Sequence, residues 1–345
     1  MEVHVAVAYG GGGRLKISLE ERCHLVGAEN RRDLRGWKRY RSLLSKVSPD
    51  VVHYIDPVGW MVIAGAGLSI KRVMHQHFRP DIGTRIKRRA MLIRILFGAA
   101  DKVVSISHGA ARVLQAQCKV TPDRICVIHN AVDLDRFSPS NKEPGAAKKL
   151  GMAIRVVEDK GIADAIALLR VLPETFTLAV AGQGPAMNEM KELARIRGVD
   201  HRIEWRGAVH DVASFFSGID YYLFMSWYEG FGLSVAEAMA SGTPVVGLLG
   251  DGEISEPEYP LVTPLNSLLV NRSTKTFSSE PDPRVISDLA EALLMLESDP
   301  DRRVRMTEAA HRWIENRFSH KIYAEKLHKL YSGMIAPSLP ADFTS

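Results

Sequence analysis

The fold of this chain is decided by the stretch "SWYEGFGLSVAEAMASGTPVVG", residues 226–247. The run that leads into it, "YYLFMS" (221–226), is continuously apolar, as expected of a parallel strand covered on both faces. The glycines of "WYEGFG" predict a tight turn, and "LSVAEAMAS" predicts a short helix that ends at Gly242, just before Pro244. Together these signals predict a strand–turn–helix unit of a parallel α/β sheet.

The same kind of unit recurs along the chain in two series, separated by a polar, Pro- and Gly-containing segment at 138–149. Two βαβ series predict an α/β protein with two doubly wound parallel sheets. Ligands of such sheets bind beyond the carboxyl ends of the strands, so we expect the site in the cleft between the domains. The runs that predict strands are 3–8, 51–55, 71–77, 102–107 and 125–130, then 151–157, 176–182, 202–207, 221–226 and 243–249.

Composition narrows the class of protein. With 46% hydrophobic and 25% charged residues, the chain reads as a globular protein, and no apolar run approaches the ~20 residues of a membrane span. No signal peptide is evident, and three cysteines without a CxxC pair suit a reducing compartment, so a cytoplasmic location is expected.

The net charge of +5 is uneven, basic up to Phe137 and acidic after it. This asymmetry indicates an anionic ligand for the first half, with an ordinary solvated surface as the alternative.

Two carboxylates stand out in the deciding stretch, Glu229 in the turn and Glu237 within the helix. Eight helical residues rise about 12 Å, so the two acids could flank a phosphate group held at the amino end of the helix. Each could then accept hydrogen bonds from hydroxyl groups, in the order that a nucleotide sugar presents them. The alternatives are a turn carboxylate for Glu229 and a solvated helix face for Glu237.

A second cluster carries positive charge. The segment "IRVVEDKG" (154–161) places Arg155 at the end of a predicted strand and Lys160 at the start of the next helix. Two cations there could stabilise the charge that develops on a leaving diphosphate, although surface cations at a helix entry are the plain alternative. The segment "VAGQGPA" (180–186), with Gly184, adds a glycine turn after a strand, which is a weak signal alone.

Taken together, these motifs resemble the retaining glycosyltransferases of family 4, the "group 1" transferases with the GT-B fold. The family's E-x7-E signature stands here from Glu229 to Glu237, and its Arg-x4-Lys-Gly element from Arg155 to Gly161. A further family element appears as Ser107 followed by "HNAVDLDRF" (129–137). The resemblance covers nearly the whole chain.

The resemblance implies two Rossmann-like domains that face each other across a cleft. It places an acceptor-side domain at 1–140, a nucleotide-sugar domain at 141–317, and a C-terminal helix at 318–336 that crosses back to the first domain. Compared with the family, the first domain is expected to lack its usual first βα unit, with "AYGGGG" (8–13) as the candidate replacement for the glycine loop.

The resemblance also implies roles for single residues. Glu237 would hold the ribose, and Arg155 and Lys160 the diphosphate. His77 in "VMHQHF" would lie beside the donor sugar, with His75 as its rival. The donor sugar would be held by Glu229 and by the backbone of Gly230, Phe231, Gly232 and Leu233, and the Gly184 turn would add a substrate contact.

The implied activity is transfer of a hexose from a UDP- or GDP-linked sugar to an unknown acceptor, with retention at the anomeric carbon. The acceptor classes are a glycan, a lipid-linked intermediate or a cell-envelope precursor, as in polysaccharide or lipopolysaccharide biosynthesis. No cofactor and no metal are expected, because family enzymes of this fold generally need none and "DLD" (133–135) fits a turn.

Other functions remain open at this stage. A catalytically silent member that binds a nucleotide sugar or a partner subunit is the main alternative. A sugar-nucleotide epimerase fits less well, and a dehydrogenase less still, since no G-x-G-x-x-G opens either domain.

The segment "TRIKRRAMLIRILFG" (84–98) is basic at one end and apolar at the other. It predicts either contact with an anionic partner, which is a membrane surface or a phosphorylated acceptor, or a buried helix with a charged first turn. Nucleic acid is not expected as a partner, because no basic tract interleaved with aromatic residues and no known binding motif is found.

Overall fold

The computed structural model describes residues 2–8, 22–30, 33–56, 59–77, 94–139, 148–250, 261–274 and 277–335. The chain divides into two compact units. The first takes in residues up to Ile106, then Ala110–Ile128 and the chain from Leu327 onward, and the second takes in Ser107–Gly109 and His129–Lys326. The units therefore divide near residue 128 rather than at the expected 140, and the C-terminal helix contributes to both.

The first unit contains two parallel sheets. Strands β1 and β2 form a pair of their own, and β3 to β6 form a four-stranded sheet in the order β3-β4-β5-β6. Their bounds are β1 Val5–Val7, β2 Cys23–Leu25, β3 Val51–Ile55, β4 Lys71–Gln76, β5 Lys102–Ser105 and β6 Ile125–Val127. The helices are α1 Leu34–Val47, α2 Gly59–Ala64 and α3 His108–Cys118.

Helix α1 shows how the sequence builds this unit. Asp33 caps its amino end by accepting hydrogen bonds from the backbone N–H groups of the first turn, and Ser48 ends it in a left-handed conformation. One face buries Tyr40 and Leu44 in the core of the unit. The ring of Trp60 from α2 packs against Tyr40 edge-on, so an apolar stripe at helical spacing becomes a helix–helix contact.

The second unit contains a six-stranded parallel sheet in the order β12-β11-β10-β7-β8-β9. The strands are β7 Lys148–Ala153, β8 Phe176–Ala181, β9 Ile203–Gly207, β10 Tyr221–Phe224, β11 Val245–Leu249 and β12 Leu268–Asn271. The helices are α4 Ile162–Val171, α5 Met187–Ile196, α6 Val212–Ser217, α7 Leu233–Ala240, α8 Pro283–Glu297, α9 Pro300–Phe318 and α10 His320–Ile335. From β7 the chain builds the sheet in one direction to β9 and then, from β10, in the other, which is the doubly wound order.

The core of the second unit explains why its strands read as unbroken apolar runs. Every residue of β10 is buried, and Leu150, Met152, Leu178 and Val180 are fully inaccessible. Helices cover both faces of such a sheet, so no face of a central strand is left for polar side chains.

Most predicted strands are confirmed, and the parallel α/β class with them. One boundary was wrong: β7 begins at Lys148, inside the expected linker, because Lys148 and Lys149 pair with β8 and so extend the ladder toward the amino end. Strands β2 and β12 were not predicted, since three or four residues give too short a pattern. The glycine loop at 9–13, the basic segment at 84–93 and the linker at 140–147 lie outside the described residues, and residues 94–98 are helical.

Within the described ranges, each helix is either too short or too polar to span a bilayer.

Candidate functional site

Strands β7 and β10 lie side by side in the sheet of the second unit, although almost seventy residues separate them in sequence. The chain leaves this pair in opposite directions, so the loops that follow the two strands diverge and leave a crevice at their carboxyl ends. Arg155 and Lys160 follow β7, and Glu229 follows β10. The topology therefore gathers the two charged clusters that the sequence singled out at one edge of the sheet.

Lys160 and Glu229 form an ion pair in this crevice. The Nζ atom of Lys160 lies 2.7 Å from Oε2 of Glu229, and the side chains are 19% and 24% exposed. The same ammonium group donates to the backbone oxygen of Tyr228 at 3.2 Å. Two residues that were predicted from separate motifs are thus in direct contact, partly shielded from solvent.

Close packing of the two loops makes this contact possible. The backbone N–H of Trp227 donates to the carbonyl oxygen of Asp159 at 2.9 Å. Gly161, which follows Lys160, has φ +69°, and a Cβ on it would lie 2.1 Å from the carbonyl oxygen of Met225. Any side chain at this position would push the loop that carries Lys160 away from the loop that carries Glu229.

Helix α7 begins beside the pair with an amino end that no side chain caps. Its cap residue, Gly232, has φ +82° and provides no side-chain hydrogen bond. The N–H groups of the first turn and the positive end of the helix dipole are therefore available to an anion. Ser234 in that turn shares a 2.7 Å hydrogen bond with the hydroxyl of the buried Tyr222, which fixes the helix to β10.

The other residues predicted in the "GFGL" turn lie in the same place. Gly230 is partly buried, Phe231 is buried, and Leu233 is exposed. The ring of Phe231 stacks against the imidazole of His129 with ring centroids 6.0 Å apart and packs edge-on against Phe318. This aromatic contact anchors the turn at the start of α7.

Glu237 occupies the second turn of α7. Its burial raises the pKa of the carboxyl group to about 7, and the positive charge of Arg136 acts in the opposite direction. Within the described part of the chain, the carboxyl group makes no hydrogen bond or ion pair. A half-buried acid that titrates near neutrality is typical of a functional site.

Arg155 lies two residues beyond the end of β7 rather than at its end, and its side chain is exposed. It contacts neither Glu229 nor Glu237 among the described hydrogen bonds and ion pairs. Gly184 lies in the turn after β8, and two hydrogen bonds hold this turn to Val156. The backbone N–H of Val156 donates to the carbonyl oxygen of Gln183, and the carbonyl oxygen of Val156 accepts from the N–H of Ala186.

The two candidate histidines lie in the first unit. His75, in β4, is fully buried, and both its ring nitrogens lack a hydrogen-bond partner. Its ring stacks between those of His53 and His77, with centroids 5.2 Å and 4.1 Å away. His77 follows the strand, is partly exposed, and donates its backbone N–H to Asp56. Of the two, only His77 has access to solvent.

Burial is the main reason that His53 and His75 stay neutral at physiological pH. It lowers the pKa of His53 to about 4 and that of His75 to about 3, and the nearby His77 adds to both shifts.

Three buried residues near the site were not predicted. Asp164, Trp227 and Arg272 form a polar cluster behind the loop that carries Glu229. A signal for Asp164 was present, because a lone acid within the apolar helix "IADAIALL" has to find a partner. Arg272 follows a strand that the sequence did not reveal.

The triplet at 133–135 forms a turn, as expected. The carboxylate of Asp133 accepts from the backbone N–H groups of Asp135 and Arg136. Among the described residues, no three His, Cys, Asp or Glu side chains are grouped so that they could hold a metal ion.

Two family models match this chain. Residues 148–277 match the family model "Glycosyl transferases group 1", and residues 1–136 match "Glycosyltransferase Family 4". The chain belongs to the family-4 glycosyltransferases. Each motif quoted from the second half, from Arg155 to Glu237, falls within the first of these matches.

Curated relatives of this family-4 chain are distant. The D-inositol 3-phosphate glycosyltransferase of Streptomyces scabiei is 27% identical over 223 residues, which cover 55% of this chain and 49% of the relative. The lipopolysaccharide core biosynthesis glycosyltransferase LpsE of Rhizobium meliloti is 27% identical over 167 residues, covering 48% and 44%. The chain thus matches about half the length of these curated relatives.

Among solved structures, HepE of Anabaena in complex with UDP is similar, with a TM-score of 0.74 at 17% identity. The match covers 95% of this chain and 91% of HepE. HepE has also been solved with UDP-glucose. At this identity the likeness concerns the fold, and it confirms the predicted GT-B class with two Rossmann-like domains.

Proposed function

We propose that this family-4 member is a retaining glycosyltransferase that moves a hexose from UDP-sugar to a glycan or lipid-linked acceptor. The observation that carries the proposal is the contact of Lys160 with Glu229 beside the uncapped amino end of α7. A cation, a row of backbone N–H groups and an acid in one crevice match the diphosphate and the sugar hydroxyls of such a donor.

In this proposal each group has its own task. Lys160 and Arg155 bind the diphosphate, and the backbone of the Gly230–Leu233 turn binds the donor sugar. Glu229 accepts hydrogen bonds from the donor sugar, and Glu237 from the ribose. The crevice around Lys160 and Glu229 is partly shielded from water, which strengthens each of these charged interactions.

The reaction breaks the bond between the anomeric carbon and the diphosphate oxygen. The acceptor hydroxyl attacks from the same face, and its proton passes to the departing phosphate oxygen. Positive charges at the diphosphate stabilise the charge that develops there. His77, which has access to solvent whereas His75 is fully buried, is assigned to the donor-sugar side.

We favour UDP over GDP as the proposed donor nucleotide because HepE, which has the same fold, was solved with UDP and UDP-glucose. The acceptor class is taken from two relatives, one named for an inositol phosphate and one for a lipopolysaccharide core. Polysaccharide or lipopolysaccharide biosynthesis on the cytoplasmic side of the membrane would suit such acceptors.

The test begins with binding. Thermal shift with UDP, GDP, UMP and uridine should show the largest stabilisation with UDP, since each ligand bound to the folded state stabilises it by mass action. Slow release of free sugar from UDP-glucose, UDP-galactose or UDP-N-acetylglucosamine then tests bond cleavage, with Glu229→Gln as the inactive comparison. Stabilisation by UDP without cleavage of any UDP-sugar would favour the alternative of a silent nucleotide-sugar-binding subunit. No response to any nucleotide would refute both.

A further inference from the structure

A buried ion pair lies behind the loop that carries Glu229. Nη2 of Arg272 lies 2.9 Å from Oδ2 of Asp164, and their side chains are only 5% and 4% exposed. Asp164 belongs to the first turn of α4, and Arg272 directly follows β12. A buried ion pair is often no more stabilising than apolar side chains of the same volume, so stability alone does not account for it.

The contacts of the pair point to the segment that follows β10. Nη2 of Arg272 also donates to the carbonyl oxygen of Met225 at 2.6 Å. Its guanidinium carbon lies 3.8 Å from the centroid of the Trp227 ring, so the cation stacks on the indole. Arg272 of this pair therefore contacts both the backbone of Met225 and the side chain of Trp227, shortly before Glu229 in the chain.

Met225 is also where the two loops of the site touch. Its carbonyl oxygen faces Gly161, next to Lys160, so closely that no Cβ would fit between them. Trp227, two residues later, donates its backbone N–H to the carbonyl oxygen of Asp159, which directly precedes Lys160. Arg272 thus holds the carbonyl group against which the Lys160 loop packs.

We propose that Arg272, with Asp164 and Trp227, is a positioning residue that fixes the loop 225–232, and hence Glu229, against Lys160. None of the three needs to touch the donor. The inference rests on the proposed function, since that function gives Glu229 and the loop backbone their ligand. A displacement of about 1 Å at a reacting centre can cost a hundredfold in rate, so a rigid support for this loop has catalytic value.

Hydrogen exchange tests the support without reference to any substrate. In Arg272→Met, the amides of residues 226–232 should exchange about tenfold faster than in the wild type, because the loop opens locally. Arg303→Met is the matched control: Arg303 pairs with Glu297 at 2.9 Å and with the hydroxyl of Tyr221, at the opposite end of β10. The control should leave exchange in 226–232 unchanged. Unchanged exchange in Arg272→Met would overturn the proposal.

Kinetics test the consequence for catalysis, well below the melting temperature of every variant. Arg272→Met should lower kcat about tenfold or more, while the affinity for UDP changes by less than about threefold, because Lys160, Arg155 and Glu237 remain. Arg272→Lys should recover part of kcat, since an ammonium can still reach Asp164 and Met225 although it cannot stack as a plane on Trp227. An equal loss of kcat in Arg303→Met would show that general stability is at work and would overturn the proposal.

Trp227→Phe covers the case in which Arg272→Met does not fold. It keeps an aromatic ring beneath the guanidinium group but reduces the ring surface on which that group stacks. Faster exchange in 226–232 is again expected, and unchanged exchange would count against the proposal. If the wild type binds no UDP while exchange responds as stated, the proposed function fails and the anchoring of the loop stands, so the two failures are distinguishable.

Discussion

The carbonyl oxygen of Met225 occupies the space that a side chain on Gly161 would need, with a Cβ at position 161 only 2.1 Å away. The loop after β10 and the loop after β7 therefore touch backbone to backbone. This contact brings Glu229 within 2.7 Å of Lys160. Its consequences can be measured at single residues.

Substitution of Gly161 tests the packing of the two loops. Gly161→Ala should lower the free energy of unfolding by more than the about 1–2 kcal/mol that a left-handed alanine costs, because the Met225 backbone has to move as well. Gly198→Ala is the control, since Gly198 has φ +73° and no atom within 4 Å of its Cβ position. Urea unfolding of both variants gives the comparison, and equal losses would refute a tight contact at Gly161.

Removal of the Lys160 charge tests the diphosphate contact. Lys160→Met should weaken UDP about tenfold or more and leave uridine nearly unaffected, because a charge-assisted contact with phosphate is lost. Lys149→Met is the control, since Lys149 pairs with Glu204 at 3.5 Å on the same sheet. Calorimetric titration with both ligands decides the matter, and an equal loss for UDP and uridine would count against a diphosphate contact.

Glu229 is expected to act on the sugar rather than on the nucleotide. Glu229→Gln should abolish transfer while the affinity for UDP stays within about threefold, because the amide keeps the shape but loses the charge that donor hydroxyls favour. Its partly exposed ion pair with Lys160 contributes about 1 kcal/mol or less, so the variant should fold normally. Wild-type turnover in this variant would show that Glu229 has no role in sugar transfer.

The raised pKa of Glu237 predicts a pH dependence of stability. The folded-state pKa is about 7 and the ordinary value for glutamate is 4.5, so the unfolded state gives up its proton first as the pH rises. The free energy of unfolding should therefore fall between about pH 4.5 and pH 7 and level off above, and Glu237→Gln should remove this component. Urea unfolding at pH 5 and pH 8 measures it.

Nucleotide binding should show the opposite trend. A ribose diol donates to the ionised carboxylate, so UDP affinity should rise with pH up to about 7 and binding should release a proton below that pH. Titrations in buffers of different ionisation enthalpy detect this proton. If Glu237→Gln keeps the same pH profile as the wild type, the ribose contact is wrong.

The two histidines of the first unit should respond in opposite ways. His75→Phe should preserve transfer and raise the melting temperature, because it removes two buried nitrogens without partners and keeps the stacked ring. His77→Gln should lower transfer and leave the melting temperature nearly unchanged. Loss of transfer in a folded His75→Phe variant would make His75 the functional residue instead.

Much of the second unit could be predicted from its pattern. The apolar runs at 176–182, 221–226 and 243–249 are strands because parallel strands covered on both faces tolerate no polar alternation. The pattern also singled out three charged residues as candidate ligand contacts, because acids and cations beside glycine turns need a partner of opposite charge or a hydrogen-bonding group. These residues are Lys160, Glu229 and Glu237. The short strand β12 gave no such pattern, so Arg272 at its end could not be placed.

The sequence by itself determined the parallel α/β fold, the turn before α7 and the residue types that line it, because periodicity and glycine spacing act locally. Only the tertiary structure decided that β7 lies beside β10, that Lys160 meets Glu229, and that Arg272 and Asp164 support Trp227 from behind. The physical reason is that these contacts join residues dozens to more than a hundred positions apart. Their pairing depends on the order of strands in the sheet, which no local pattern encodes.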